Sequence, residues 1–341
     1  MSLLVLAARA VGLVVGPELA RRHAARKRPG VHRAWTACSP RLQTRADSVS
    51  GVESRYGRQL ELGVFPVPNA DDLEDVRAQA RRAEALGLDL IGIQDHPYQR
   101  RYLETWGLLA DLIARTERIR FFPDVANLPL RGPAMIAKQA ATLDVLSGGR
   151  FELGLGSGAF WDAIGAMGGP VRSPREALES LEEAIEIIRL FWGGERSIAF
   201  EGRHYRVKGL HPGPPPAHPI EIWLGVGKPR GLALLGRAAD GWVPSLTWAR
   251  PELVPPMMAA IDEGARGAGR DPGEIRRLLN VSGKIVDGGT SELLVGPPEH
   301  WVETLTLFAR DLGFDTFLFW ANDEPEEQLE RFATEVAPAL R

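Results

Sequence analysis

From Leu60 onward, short apolar runs and helical patterns alternate eight times, and no other feature restricts the fold as strongly. Strands that alternate with helices are forced into parallel pairing with right-handed crossovers. The strand runs are LELGVFPVP (60–68), LDLIGI (88–93), RIRFFPDVA (118–126), FELGLG (151–156), IEIWLG (220–225), GWVPSL (241–246), IRRLLNVSGKIV (275–286) and DTFLFW (315–320). Several are apolar without clean alternation, as expected of strands covered on both faces. Eight such units with no linker-like break predict an α/β fold, a closed (β/α)8 barrel of the TIM type; an open doubly wound sheet is the alternative.

The helix signals agree with this spacing. Asp71 or Asp72 can cap a helix carrying Leu73, Val76, Ala80, Ala83 and Leu86 on one face, with Gly87 at its end. Helices are also expected over 105–116, 133–146, up to Ala239, 251–268, 298–312 and from Glu324. Ser173-Pro174-Arg175-Glu176 is a capping box with proline in the first turn, starting a helix whose buried stripe is Leu178, Leu181, Ile185, Ile188 and Trp192. Ser147-Gly148-Gly149 closes the third helix and hands over through Arg150 to the fourth strand. Between the fourth helix and the fifth strand, SIAFEGRHYRV reads as an insertion hairpin turning at Glu201-Gly202, followed by a proline-rich linker.

Residues 1–57 differ in character, with ten Lys/Arg against three Asp/Glu, and are expected to form a poorly ordered N-terminal extension, leaving 58–341 as the barrel domain. The apolar run from Leu3 to Val15 is interrupted by Arg9 and is too short to span a bilayer. Net charge is −3, so no basic field points to nucleic acid, and a cytoplasmic location with neither membrane nor nucleic-acid partner is the expectation. The single cysteine, Cys38, rules out an internal disulfide and a multi-cysteine metal site. His211 and His218 lack metal-ligand spacing, and no metal is assigned.

In a barrel of this kind the working face is the carboxyl end of the strands. Asp95 and His96 follow the second strand: His96 can exchange a proton near neutral pH, and Asp95 can orient its ring or bind a polar substrate group, whereas a histidine bonded only to loop backbone is the plainer reading. The fourth strand ends in Gly156-Ser157-Gly158, which leaves no side chain to hold a flat ligand off the backbone, although a tight turn would use the same residues. A loop over 159–173 follows; its length suggests a function, and Phe160, Trp161 and Asp162 are candidates for a substrate pocket. After the fifth strand, Gly225-Val226-Gly227-Lys228 precedes a helix, so backbone N–H groups, the helix dipole, Lys228 and Arg230 can converge on a phosphate.

Taken together, ATLDVLSGGRFELGLGSG, the Asp95-His96 pair and PIEIWLGVGKPRGLALLGRAADGW resemble the luciferase-like class of flavin and deazaflavin oxidoreductases over about Leu60 to Trp320. The resemblance implies a barrel that binds FMN or the deazaflavin coenzyme F-420 at its mouth, with the phosphate near Gly225–Arg230. The ring is then expected near the third and fourth strands, with a non-prolyl cis peptide at Asp124-Val125 and a cofactor contact from Asn127. Asp-His after the second strand resembles the F-420-dependent sugar-phosphate dehydrogenases and methylene-tetrahydromethanopterin reductases, which favours F-420. Ala159 stands where those dehydrogenases carry a glutamate, and Arg100 where they carry a tryptophan. The implied activity is hydride exchange between cofactor and a small organic substrate, with His96 managing a proton. An FMN-dependent monooxygenase using oxygen, or a flavin-binding barrel without turnover, is the alternative; relatives of this kind are commonly homodimers.

Overall fold

The computed structural model describes residues 51–321 and 323–341. In chain order the strands are β1 (Glu61–Val64), β2 (Leu90–Ile93), β3 (Arg120–Pro123), β4 (Ala126–Asn127), β5 (Leu153–Gly156), β6 (Ile198–Glu201), β7 (Arg206–Leu210), β8 (Ile222–Leu224), β9 (Gly241–Trp242), β10 (Arg276–Ile285), β11 (Val295–Gly296) and β12 (Thr316–Ala321). Neighbours run β3-β2-β1-β12-β10-β9-β8-β5-β4. β3 and β4 are two halves of one stave, interrupted by a cis Asp124–Val125 peptide, so the path closes on itself into a parallel barrel of eight staves. A bridge between Phe121 and Phe151 completes the seam. All eight expected strand runs lie in this ring.

The helices are α1 (Leu73–Ala85), α2 (Thr105–Ile113), α3 (Pro133–Ser147), α4 (Trp161–Ala166), α5 (Pro174–Trp192), α6 (Pro229–Ala238), α7 (Val254–Gly267), α8 (Pro298–Leu307), α9 (Pro325–Arg331) and α10 (Ala337–Leu340). The capping box forms at α5: Ser173 Oγ accepts from the Glu176 N–H, and the Glu176 carboxylate accepts from the Ser173 N–H at 2.9 Å. Asp71 and Asp72 do not cap α1 through their side chains; Ala70–Asp72 form a 3-10 turn, and the Asp72 carboxylate instead accepts from Asn69 Nδ2. Gly148 ends α3 at φ 71°, a left-handed conformation that glycine adopts without a Cβ penalty. Arg150 then donates to the carbonyls of Ile113, Thr116, Ser147 and Ile119, joining the ends of α2 and α3 to the start of β3. The 159–173 loop contains α4, and the insertion hairpin β6–β7 turns at 202–205, where Glu183 of α5 accepts from three successive backbone N–H groups.

Two apolar layers hold the barrel. Phe65, Leu90, Phe122, Trp223, Val243, Leu278 and Leu318 fill the lumen, and a larger cluster packs the outer strand faces against the helices. Residues 1–50, most of the expected extension, lie outside the described residues. Residues 51–57, assigned to the extension on charge, belong to the barrel unit. Val52 N–H donates to the Leu340 carbonyl, the Tyr56 hydroxyl donates to Asp262, and the Arg277 guanidinium stacks 3.6 Å from the Tyr56 ring centroid. Their basic residues hid an aromatic anchor that composition does not reveal. Among the described residues no helix is long and apolar enough to cross a membrane.

Candidate active site

Side chains alternate along a strand, so residues two beyond the lumen core face inward one layer higher, at the carboxyl mouth. Leu90 leads to Gly92, Phe122 to Asp124, Trp223 to Gly225, Val243 to Ser245, Leu278 to Asn280 and Leu318 to Trp320. This layer is the floor of the mouth. Its glycines make room for the chain itself: a Cβ built on Gly156 would lie 2.7 Å from Val125 Cγ2, and one on Gly225 3.0 Å from the same methyl. The physical reason read from the sequence is thereby corrected, because Val125 fills the space over Gly156 that was reserved for a ligand. Gly158, at φ 98°, is covered by Pro129 and the Trp161 indole, and Gly227 lies under Trp248. Ser157 is half-buried beside them.

Asp95 and His96 do not pair. At a strand end successive side chains point to opposite sides. Asp95 is buried and accepts from the Asn127 N–H at 2.9 Å and from Arg131 Nη1 at 2.6 Å, which ties the end of β2 to β4. Burial raises its pKa, against the opposing pull of Arg131. His96 instead turns to Tyr98, two residues on: its Nδ1 is 2.6 Å from the phenolic oxygen, with the Phe160 ring edge-on at 5.4 Å between centroids. Burial pushes the His96 pKa down to about 4, so the ring is neutral at physiological pH. A phenol is a far better donor than a neutral imidazole N–H, and an imidazole nitrogen is a far better acceptor than a phenol oxygen. Tyr98 therefore donates to Nδ1 and leaves the proton on Nε2, which has no partner among the described residues.

Asp124 lies over Gly92 of the neighbouring stave, with Oδ2 3.0 Å from the position of a Cβ on that glycine. It is 8% exposed, and burial pushes its pKa up to about 7 against the opposing hydrogen bond from Asn280. Among the described residues, the buried side-chain atoms without a partner include Asp124 Oδ2, Asn127 Oδ1, Asn280 Oδ1 and Trp320 Nε1, all toward the carboxyl ends of their strands. Desolvated polar groups left unpaired are costly. Two staves away, beyond β8, α6 begins at Pro229, after Lys228. The N–H groups of Gly227, Lys228, Arg230 and Gly231 find no acceptor among the described residues, whereas the Val226 carbonyl accepts from Trp242 Nε1 at 2.8 Å. Lys228 and Arg230 are exposed and in no ion pair among the described residues. Phe160 and Trp161 stand at the rim, and Asp162 is exposed in the first turn of α4.

The sequence profile of the luciferase-like monooxygenases matches residues 51–282. The chain belongs to that family. Within it, the chain is 32% identical over 210 residues to the F420-dependent glucose-6-phosphate dehydrogenase of Intrasporangium calvum, covering 59% of this chain and 62% of that one, so it spans less than two thirds of that relative. The enzyme of the same description from Microbacterium testaceum is 32% identical over 318 residues, covering 76% of this chain and 91% of that one. The fold matches a solved F420-dependent secondary alcohol dehydrogenase in complex with an F420-acetone adduct at a TM-score of 0.75 and 18% identity, covering 83% and 99% of the two chains. Tyr98, Arg131, Asn280 and Trp320 were not among the residues singled out from the sequence. The i+2 relation of Tyr98 to His96 was the available signal for the first of them.

Proposed function

We propose that this chain is a deazaflavin-dependent oxidoreductase that exchanges a hydride between coenzyme F-420 and a small organic substrate. The observation that carries the reading is the unpaired anion site at the start of α6, opening on the same mouth as the orphaned Asn127 Oδ1. The sequence relatives described as F420-dependent favour the deazaflavin over FMN. The residues fit such a group: free N–H donors, Lys228 and Arg230 suit its phosphate, and the buried amide of Asn127 suits a polar edge of its ring.

When bound, the deazaflavin supplies a two-electron hydride acceptor or donor and the protein supplies position and exclusion of water. Val125, seated over Gly156 and Gly225, offers an apolar surface to one face of a flat ring. Asp95 and Arg131 hold the Asn127 backbone in register with β2. His96, fixed as the Nε2–H tautomer by Tyr98, holds a proton toward an oxygen of the substrate. The reading is tested by titrating the full-length protein separately with F-420 and FMN and following ligand fluorescence. Saturable F-420 binding at micromolar concentration or below is expected, and failure of both ligands to bind removes the proposal.

A further inference from the structure

Three rings from two loops meet above the end of β2. Phe160 stands edge-on to His96 with centroids 5.4 Å apart and an interplanar angle of 70°. The same ring is 5.7 Å from Tyr98, and Tyr98 is 5.5 Å from His96. These separations lie in the range where aromatic pairs attract. Phe160 directly precedes α4, and its place there is set by its neighbours. A Cβ on Gly158 would lie 2.7 Å from Pro129 Cγ and 2.8 Å from Trp161 Cη2; one on Gly169 would lie 2.7 Å from Leu130 Cδ2 and 2.8 Å from Ile164 Cγ2. Trp161 and the buried Ile164 thus seat α4 close to the 3-10 turn Leu128–Leu130. The next residue, Arg131, bonds Asp95, so the turn is fastened to the end of β2.

Phe160 itself is 38% exposed, a poor position for a residue whose only work is to anchor the loop. Trp161 and Ile164 do that already. What Phe160 does cover is His96. An imidazolium needs water or a countercharge, and a hydrocarbon ring edge supplies neither. The charged groups around His96 do not take their place. Tyr98 is held protonated by burial and by the Asp95 charge. Asp95 is bound to Arg131 and to the Asn127 N–H, and Arg131 also to Glu104. Asp162 of α4 is exposed, and among the described residues no ion pair includes His96. Burial alone accounts for the low His96 pKa of about 4.

We infer that Phe160 is a positioning residue acting through His96: its ring stands between the imidazole and solvent and holds that ring in the uncharged form in which it meets the substrate. The inference rests on the proposed oxidoreductase reading for the use of that form, but not for the capping itself.

The test is a nitrogen NMR titration of His96 in the full-length, ligand-free protein, its signals identified by their loss in His96→Gln. Phe160→Ala should raise the titration midpoint by about 1–2 pH units, toward the ordinary value of 6.5. Phe160→Leu keeps an apolar cover and should stay within about half a pH unit of the wild type. Met167→Ala, an exposed change on the same loop, should leave the midpoint in place and separates loss of the cap from loosening of the loop. Phe160→Gln should move the midpoint in the same direction as alanine and serves if alanine destabilises the protein. An unchanged midpoint in both Phe160→Ala and Phe160→Gln, a leucine variant that shifts as far as alanine, or an equal shift in Met167→Ala overturns the inference. No coenzyme enters the measurement: failure to bind F-420 removes the proposed function and leaves the cap standing, whereas F-420 binding with an unmoved midpoint does the reverse.

Discussion

Gly156→Ala puts the packing of the mouth to a quantitative test. The added methyl would lie 2.7 Å from Val125 Cγ2, where unstrained carbon atoms sit about 3.5–4.0 Å apart. A shift of roughly 1 Å is therefore required. Val125 has little freedom to supply it. Its χ1 is stiff, as in any β-branched residue. Overpacking of this kind costs about 1–3 kcal/mol. Val125→Ala alone should cost about 1 kcal/mol, since it deletes two half-buried methyl groups. In the double variant the new methyl occupies the vacated space, and a coupling energy of about 1–3 kcal/mol in favour of the pair is expected. Equilibrium unfolding in urea of the four proteins measures it without any ligand. Additivity within about 0.5 kcal/mol would refute the idea that the glycine at the end of β5 exists to seat Val125.

Lys228→Glu should weaken F-420 by about thirtyfold at low salt. Each unit of charge is worth about 1 kcal/mol at contact distance in water, and the reversal changes two; fluorescence titration should show the effect shrink as salt is added. Tyr98→Phe removes the donor to His96 Nδ1, so nitrogen NMR of the ligand-free protein should change from a pure Nε2–H tautomer to a mixture, while a merely structural role would leave the tautomer unchanged. His218 is raised to about 9 by Glu152 and Asp144, so its stabilisation is fully present below its unfolded value of about 6.5 and is lost as pH rises through 9. His218→Gln should flatten the fall in unfolding free energy between those values, and an unchanged pH profile would show that the charged ring contributes nothing.

Much of the architecture could be read from residue order, because helix and strand periods differ and their alternation leaves few topologies. The capping box before α5 and the glycine after α3 were equally plain, since each satisfies a definite backbone requirement. The site was legible in position but not in pairing. Asp95 and His96 are adjacent in sequence, and adjacency at a strand end separates side chains; the ring's partner is Tyr98, on the same side two residues later. The glycines at the ends of β5 and β8 announced that something comes close to the backbone, without saying whether it was a ligand or Val125. Asn280 and Trp320 gave no local signal, because their meaning lies in sharing an inward layer with Asp124, which only the closed barrel supplies.

The placement of charge gives this mouth a direction. N–H groups and two cations, without partners among the described residues, lie at the start of α6, while the carboxyl of Asp124 stands at the end of β3, two staves away. On the proposed reading, an anionic coenzyme is attracted to the first place and repelled by the second. Between the two sits Val125, held by glycines on two neighbouring staves, with His96 neutral and proton-bearing at the end of β2. On this reading the orientation of the coenzyme follows from where charge is absent as much as from where it is present.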